Sequence, residues 1–312
     1  LRVLFMGTPE FAVPPLEKLV QGHYPVVAVY TQPDKLGGRG RSLVMSPVKK
    51  AGLSAGLPVV QPTSLKDSET VQQLAGFRPE VIVLAAFGQI LPGPVLDIPR
   101  YGCLNIHPSL LPRYRGPSPV AAAILAGDEV TGVTMMLMDR GLDTGPILTQ
   151  EKVAISPSDT TGSLSARLSH MAAETLPDVL VRWTAGEITP RPQDEARATY
   201  CAAIKKEDGE IDWQLSAEDI WRRVRAYQPW PGAYTSWRDR RLEIIEAVAL
   251  PAEGGLKTGQ VVALPCGGAG FGVGTGDGIL GVIKVQLQGK RAMLAADFLR
   301  GQRQLVGSVL PS

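Results

Sequence analysis

Apolar residues in the first half of the chain gather into short unbroken runs, at Val3 to Met6, Val26 to Tyr30, Val81 to Ala85, Gly102 to Ile106 and Thr131 to Met138. Runs of this length with little polar alternation predict strands buried on both faces. Between them, apolar positions recur at helical spacing over Phe11 to Val20, Pro47 to Ala55, Val71 to Phe77 and Pro119 to Leu125, and a longer pattern of the same kind runs from Ser163 to Trp183. These stretches predict helices. Alternating strand and helix predict an α/β domain over residues 1–189, Rossmann-like, with a doubly wound and mainly parallel sheet.

After Ile188 the pattern stops. Thr189 to Arg197 is rich in proline and charge without periodicity, and residues 190–206 are expected to form a linker. Beyond it, over 207–312, a helical stretch from Ser216 to Tyr227 precedes short β-like runs near 233–237, 242–249, 259–264, 271–275 and 279–287, parted by glycine-rich turns. A small five-stranded β-barrel is the expected second domain, with a last helix at Ala295 to Arg300.

Composition narrows the function classes. Of 312 residues, 44% are hydrophobic and 20% charged, and no apolar run reaches the roughly 20 residues a membrane helix requires. The apolar opening is broken by Pro9 and Glu10, so no secretory signal and a cytoplasmic location are expected. Cys103, Cys201 and Cys266 are far apart with no C-x-x-C spacing, and His23, His107 and His170 stand at no ligand spacing, so neither disulfides nor a metal are expected. A net charge of +2 confines any RNA contact to local patches.

The segment Gly102 to Pro112 places two polar side chains at the end of an otherwise apolar strand. Residues two apart share a face, so Asn105 and His107 project together, and Pro108 ends the ladder. In open α/β sheets, ligands bind beyond the carboxyl ends of the strands. A second segment, Thr134 to Pro146, runs from a strand into a glycine-punctuated loop carrying Asp139 and Asp143. Acyl transfer to an amine needs donors for a developing oxyanion and a path for one proton. The Asn105 amide and a protonated His107 suit the first need. A carboxylate beside the ring, Asp143, would raise the His107 pKa and keep it protonated near neutrality. By strand alternation Cys103 shares their face, which leaves a thiol nucleophile open on geometry, although no cation lies next to it in sequence to lower its pKa.

Phe5-Met6-Gly7-Thr8-Pro9, Thr31-Gln32-Pro33-Asp34, the run from Asn105 to Pro112 and Asp139-x-Gly141-x-Asp143-Thr144-Gly145 occur in one order along the chain. Together they closely resemble the methionyl-tRNA formyltransferases, over nearly the whole length. The resemblance implies Asn105, His107 and Asp143 as catalytic residues and 10-formyltetrahydrofolate as formyl donor. It implies a folate site from Phe87, Gly88 and Ile90, the loop Ser109, Leu110, Leu111 and Pro112, and Asp139 with Gly141. Phe87 stands where many members carry tyrosine, and Pro108 where glycine is common. The implied second domain is of the oligonucleotide-binding type, the implied partner is initiator methionyl-tRNA, and no other partner is suggested, so a monomer is expected.

The stretch Gln32 to Ser42 is basic and rich in glycine, and the resemblance makes Lys35, Arg39 and Arg41 candidates for contact with the acceptor stem. In the second domain Arg222 and Arg223 share a predicted helix and are candidates for tRNA contact, with Arg238, Arg240 and Arg241 on a predicted hairpin turn. Trp221, Trp230 and Trp237 are expected in packing rather than stacking. Two rivals stay open at this point: a folate-dependent formyltransferase acting on a small amine such as a nucleotide or amino sugar, and a non-catalytic RNA-binding protein. A nicotinamide enzyme is disfavoured because G-x-G-x-x-G is missing.

Overall fold

Strands that are apolar along their whole length form the middle of the sheet, because only there are both faces covered. The computed structural model describes residues 1–37, 42–252, 255–264 and 268–312. From the start of the chain the elements are β1 (Val3–Gly7), α1 (Val13–Gln21), β2 (Val26–Tyr30), β3 (Lys35–Gly37), β4 (Ser42–Val44), α2 (Pro47–Ser54), β5 (Val59–Val60), α3 (Ser68–Gly76), β6 (Val81–Ala85), α4 (Gly93–Leu96), β7 (Cys103–His107), α5 (Pro119–Leu125), β8 (Val130–Leu137), β9 (Ile147–Ala154) and α6 (Thr161–Thr184). The large sheet has the order β5-β2-β1-β6-β7-β8-β9. It is parallel from β5 to β7 and antiparallel from β7 to β9. Every residue of β1 and β6 is buried, and Leu4, Met6, Ile82 and Leu84 share one core with Tyr30, Leu74, Phe87 and Leu91. Each such large side chain taken from water contributes about 1.5–3 kcal/mol. The Rossmann-like, mainly parallel sheet therefore stands.

Two compact units divide the chain. One comprises Leu1–Pro119, Val130–Ala154 and Leu164–Ala202, the other Val120–Glu129, Ile155–Ser163 and Ala203–Ser312. The proline-rich segment expected as a linker is, as far as Ala202, part of the first unit. Arg191 exchanges backbone hydrogen bonds with Ile147 at 2.8 and 2.9 Å, and Tyr200 bridges to Arg115. Its polar residues look solvated in sequence because their partners lie far away along the chain. β9 was not expected either: only Ile147 and Leu148 are buried, and its far half faces out, so its apolar signal is weak.

In the second unit α7 (Ala217–Ala226) precedes β10 (Ala233–Trp237), β11 (Arg240–Leu250), β12 (Val261–Ala263), β13 (Phe271–Gly274), β14 (Ile279–Leu287), β15 (Met293–Leu294) and α8 (Ala295–Gly301). The strands pair antiparallel in the order β10-β11-β14-β13-β12, with β15 on β14. Trp213, Ile220, Trp237, Phe271 and Leu280 lie in its core, and Trp237 meets Phe298 edge-on at 5.8 Å. Trp221 is partly buried, with the Arg225 guanidinium 3.9 Å over its ring. Trp230 departs from the packing expectation and is 55% exposed.

Candidate active site

β7 ends at the carboxyl edge of the sheet between β6 and β8, with Leu84 beside Asn105 on one flank and Met136 and Thr134 opposite Asn105 and His107 on the other. Asn105 is half-buried and His107 buried. The glycine-punctuated loop between β8 and β9 brings Asp143 to them. Its Oδ1 accepts from Asn105 Nδ2 at 3.4 Å, its Oδ2 lies 3.7 Å from His107 Nδ1, and Oδ2 also accepts from the Gly116 amide at 2.9 Å. The three residues, singled out in sequence from two separate segments, thus form one cluster.

The electrostatics of His107 run against the sequence-based expectation. Burial pushes its pKa below the ordinary histidine value, and this outweighs the upward pull of the Asp143 charge and of the Tyr114 carbonyl. Removing water from the ring penalises the imidazolium more than one carboxylate beyond hydrogen-bond range restores it. The shift favours the neutral ring over the imidazolium. Its Nε2 lies 2.9 Å from the Tyr114 carbonyl, a group that only accepts, so the proton sits on Nε2 and the lone pair of Nδ1 faces Asp143. Cys103 is sealed in the core, and burial, helped by Asp97, pushes its thiol up to about 12, which removes it as a nucleophile.

The loop after β7 is held from below. The fully buried Thr134 hydroxyl donates to the Ser109 carbonyl at 2.6 Å and accepts from Leu111 N at 3.1 Å and Gln150 Nε2 at 3.0 Å. Ser109 and Leu111 turn inward: the Ser109 hydroxyl donates to the Arg113 carbonyl, and Leu111 packs with Met136 and Ile147. Leu110 and Pro112 are partly open. Phe87 is likewise in the core, and its carbonyl accepts from Thr8 and Gln32. By contrast Gly88 and Ile90 are exposed, as are Asp139 and Gly141. Asp139 shapes its own loop, accepting from the Gly141 amide at 2.9 Å and the Thr144 hydroxyl at 2.6 Å. Of the expected folate-lining residues, Phe87, Ser109 and Leu111 thus support the loops from within, and the others face outward or lie at the surface of the same segments.

Lys35 is exposed on β3, whereas Arg39 and Arg41 lie outside the described residues. Arg222 is already engaged, with Glu218 at 3.2 Å and Asp219 at 3.8 Å, and its guanidinium fills the space where a side chain at Gly127 would be. Arg223 donates to the Tyr227 hydroxyl at 3.4 Å. Among the described residues no cluster of metal-ligating side chains occurs, and no helix is long and apolar enough to cross a membrane.

Arg115 and Gln193 escaped the sequence reading. Arg115 is fully buried yet charged, paired with Glu195 and Gln193. The available signal was its place, eight residues past His107 in a polar stretch that also carries Gly116. For Gln193, in an apparent linker, there was none.

Comparison with known proteins bears on the same residues. The formyl transferase family model matches residues 1–180, and that of the formyl transferase C-terminal domain matches 203–303. The methionyl-tRNA formyltransferase of Dehalococcoides mccartyi is 48% identical over 309 residues, covering 98% of this chain and 97% of its own. That of Chloroflexus aurantiacus is 50% identical over 304 residues, covering 96% and 97%. Solved structures of the same fold include an N-formyltransferase from Helicobacter canadensis in complex with folinic acid and dTDP-3-aminofucose, with a TM-score of 0.68 at 19% identity over 90% of this chain and 98% of that one. HypX from Aquifex aeolicus in complex with tetrahydrofolic acid has a TM-score of 0.65 at 19% identity over 96% of this chain and 46% of that one, so the chain spans about half the length of HypX. With half of its residues shared with such relatives from end to end, the chain belongs to the methionyl-tRNA formyltransferases of the formyl transferase family.

Proposed function

We infer that this enzyme transfers the formyl group of 10-formyltetrahydrofolate to the amino group of methionyl initiator tRNA, giving N-formylmethionyl-tRNA for translation initiation. The observation that carries the reading is the near-full-length identity to methionyl-tRNA formyltransferases. A small-amine formyltransferase is the weaker alternative, since the N-formyltransferase in complex with dTDP-3-aminofucose shares 19% identity and only the fold. A purely RNA-binding role leaves the Asn105, His107 and Asp143 cluster without purpose.

The donor supplies an electrophilic formyl carbon on a nitrogen leaving group. Everything else falls to the chain's own groups. Asn105 Nδ2 spends one N–H on Asp143 and keeps the other to donate to the formyl oxygen as negative charge builds there. Neutral His107 takes the proton of the attacking amine on Nδ1, and the imidazolium so formed is stabilised by Asp143 3.7 Å away. The same proton then passes to the departing nitrogen. One carbon–nitrogen bond forms, one breaks, one proton moves between the two nitrogens, and no residue is acylated.

Folate is bound along Phe87, Gly88 and Ile90, along Ser109 to Pro112, and along Asp139 and Gly141. The fit rests on apolar side chains left open in these loops, with Ile90 80% and Leu142 54% exposed, surfaces that a flat heterocycle would cover. Lys35, Arg39 and Arg41, with Arg223 of a tRNA-binding second domain, carry the RNA contact, Arg222 being taken up by Glu218 and Asp219, and the enzyme works as a cytoplasmic monomer. Incubation with 10-formyltetrahydrofolate and methionyl initiator or elongator tRNA tests the reading. Formylated initiator product is expected; no product, but turnover of a small amine, would overturn it.

A further inference from the structure

Gln193 uses its whole hydrogen-bonding capacity in two opposed directions. Its Nε2 donates to the carbonyls of Asp143 and Gly145, both at 2.8 Å, and its Oε1 accepts from Arg115 Nη2 at 2.9 Å and Nε at 3.1 Å. A flipped amide would set oxygen against two carbonyls and N–H against a guanidinium, so its orientation is determined. Arg115 is itself immobilised: it is fully buried, and its two terminal nitrogens donate to the two oxygens of Glu195 at 2.7 and 2.9 Å. That paired, forked geometry is the most directional a side chain offers.

At the centre of the loop so gripped, Asp143 has φ 52°, a left-handed conformation that few side chains other than asparagine and aspartate adopt and that its hydrogen bonds hold in place. Besides Asn105, two anchors hold it. The Gly116 amide takes the carboxylate, and Gln193 takes the backbone. Both anchors lead to one place, because Gly116 follows Arg115, and Arg115 exchanges backbone hydrogen bonds at 2.8 Å with Thr199 and Cys201. Gly116 has φ 116°, and a Cβ there would stand 2.4 Å from the Cys201 carbonyl. The segment 193–201 therefore fits tightly beneath the loop that carries Asp143.

We propose that Gln193, clamped by Arg115 and Glu195, is a positioning residue for formyl transfer, holding the Asp143 carboxylate against His107 and Asn105. The proposal rests on the reading of Asp143 as catalytic. Two replacements separate the functions of the amide. Gln193→Met keeps length and volume but loses both donors, and Gln193→Glu keeps the pairing with Arg115 but turns an oxygen toward two carbonyls. With 10-formyltetrahydrofolate and methionyl-tRNA, both are expected to lose about 10- to 100-fold in kcat, the range for a displaced catalytic group, while KM for tRNA stays within about twofold. Placed in an Asp143→Asn background, neither is expected to add a further loss, because its effect acts through Asp143.

Unchanged kcat in either variant overturns the proposal, as does a loss that adds in full to that of Asp143→Asn. Near-normal turnover of Asp143→Asn alone overturns the reading of Asp143 instead, and so is distinguishable. Melting curves accompany the kinetics: if Gln193→Met fails to fold, Gln193→Glu carries the test, and unfolding of both would assign Gln193 to stability alone and overturn the proposal.

Discussion

At the scale of the residue, the decisive group is His107. Its ring is buried, its Nε2 proton is committed to Tyr114, and its pKa is lowered. Nuclear magnetic resonance titration of the ring is expected to give a midpoint below the ordinary histidine value of about 6.5. Asp143→Asn should move it further down, since the carboxylate is what pulls it up. A midpoint at or above the ordinary value would restore the imidazolium as the resting form. Stability follows with a definite sign. The folded pKa lies below the unfolded one, so the contribution from burying a neutral ring is whole above the unfolded value and is lost as pH falls through the folded one. Urea midpoints measured from pH 7 downward should show that loss. Asn105→Ala, His107→Ala and Asp143→Ala should each lower kcat by about 10²- to 10³-fold while leaving tRNA affinity unchanged. Near-normal turnover in any one removes that residue from the chemistry.

At the scale of the element, the loop after β7 depends on Thr134 of β8. Thr134→Val retains shape and leaves the Ser109 carbonyl, the Leu111 amide and one arm of Gln150 to find other partners in a buried place. The expected cost is about 1–3 kcal/mol, visible as a lowered melting temperature, together with a raised KM for 10-formyltetrahydrofolate. A variant with unchanged stability would show that the hydroxyl is not the loop's support. Periodicity made the central strands legible, because β1, β2 and β6 are apolar from end to end, and it made Asn105 and His107 conspicuous as polar intrusions on β7. It could not reveal that β8 and β9 run antiparallel, since β8 is buried at six consecutive positions like the parallel strands beside it. Nor could it find Arg115 and Gln193, which act through partners 78 residues apart. The sign of the His107 shift was missed for a related reason: a neighbouring carboxylate can be guessed from motifs, but the competing desolvation comes from the full packing around the ring.

At the scale of the whole molecule, a net charge of +2 gives little general attraction for RNA, so binding must rest on a few local cations. These differ in how free they are. The Arg222 guanidinium already pairs with Glu218 and Asp219 and fills space beside Gly127, so a phosphate would have to compete with those partners. Lys35 stands exposed at the start of a stretch that continues through Arg39 and Arg41. Each lysine or arginine that neutralises a phosphate releases counterions and contributes about 0.7 to 0.9 to the slope of log affinity against log salt. Replacing Arg39 and Arg41 together by alanine is therefore expected to weaken tRNA binding and to flatten that slope by about 1.4 to 1.8. Arg222→Ala should leave the slope nearly intact and lower the melting temperature of the second unit, since what it loses is internal pairing and packing. Binding titrations at several salt concentrations separate the two cases. An unchanged slope for the double variant, with a flattened one for Arg222→Ala, would move the electrostatic contact from the stretch after β2 to the helix of the second unit.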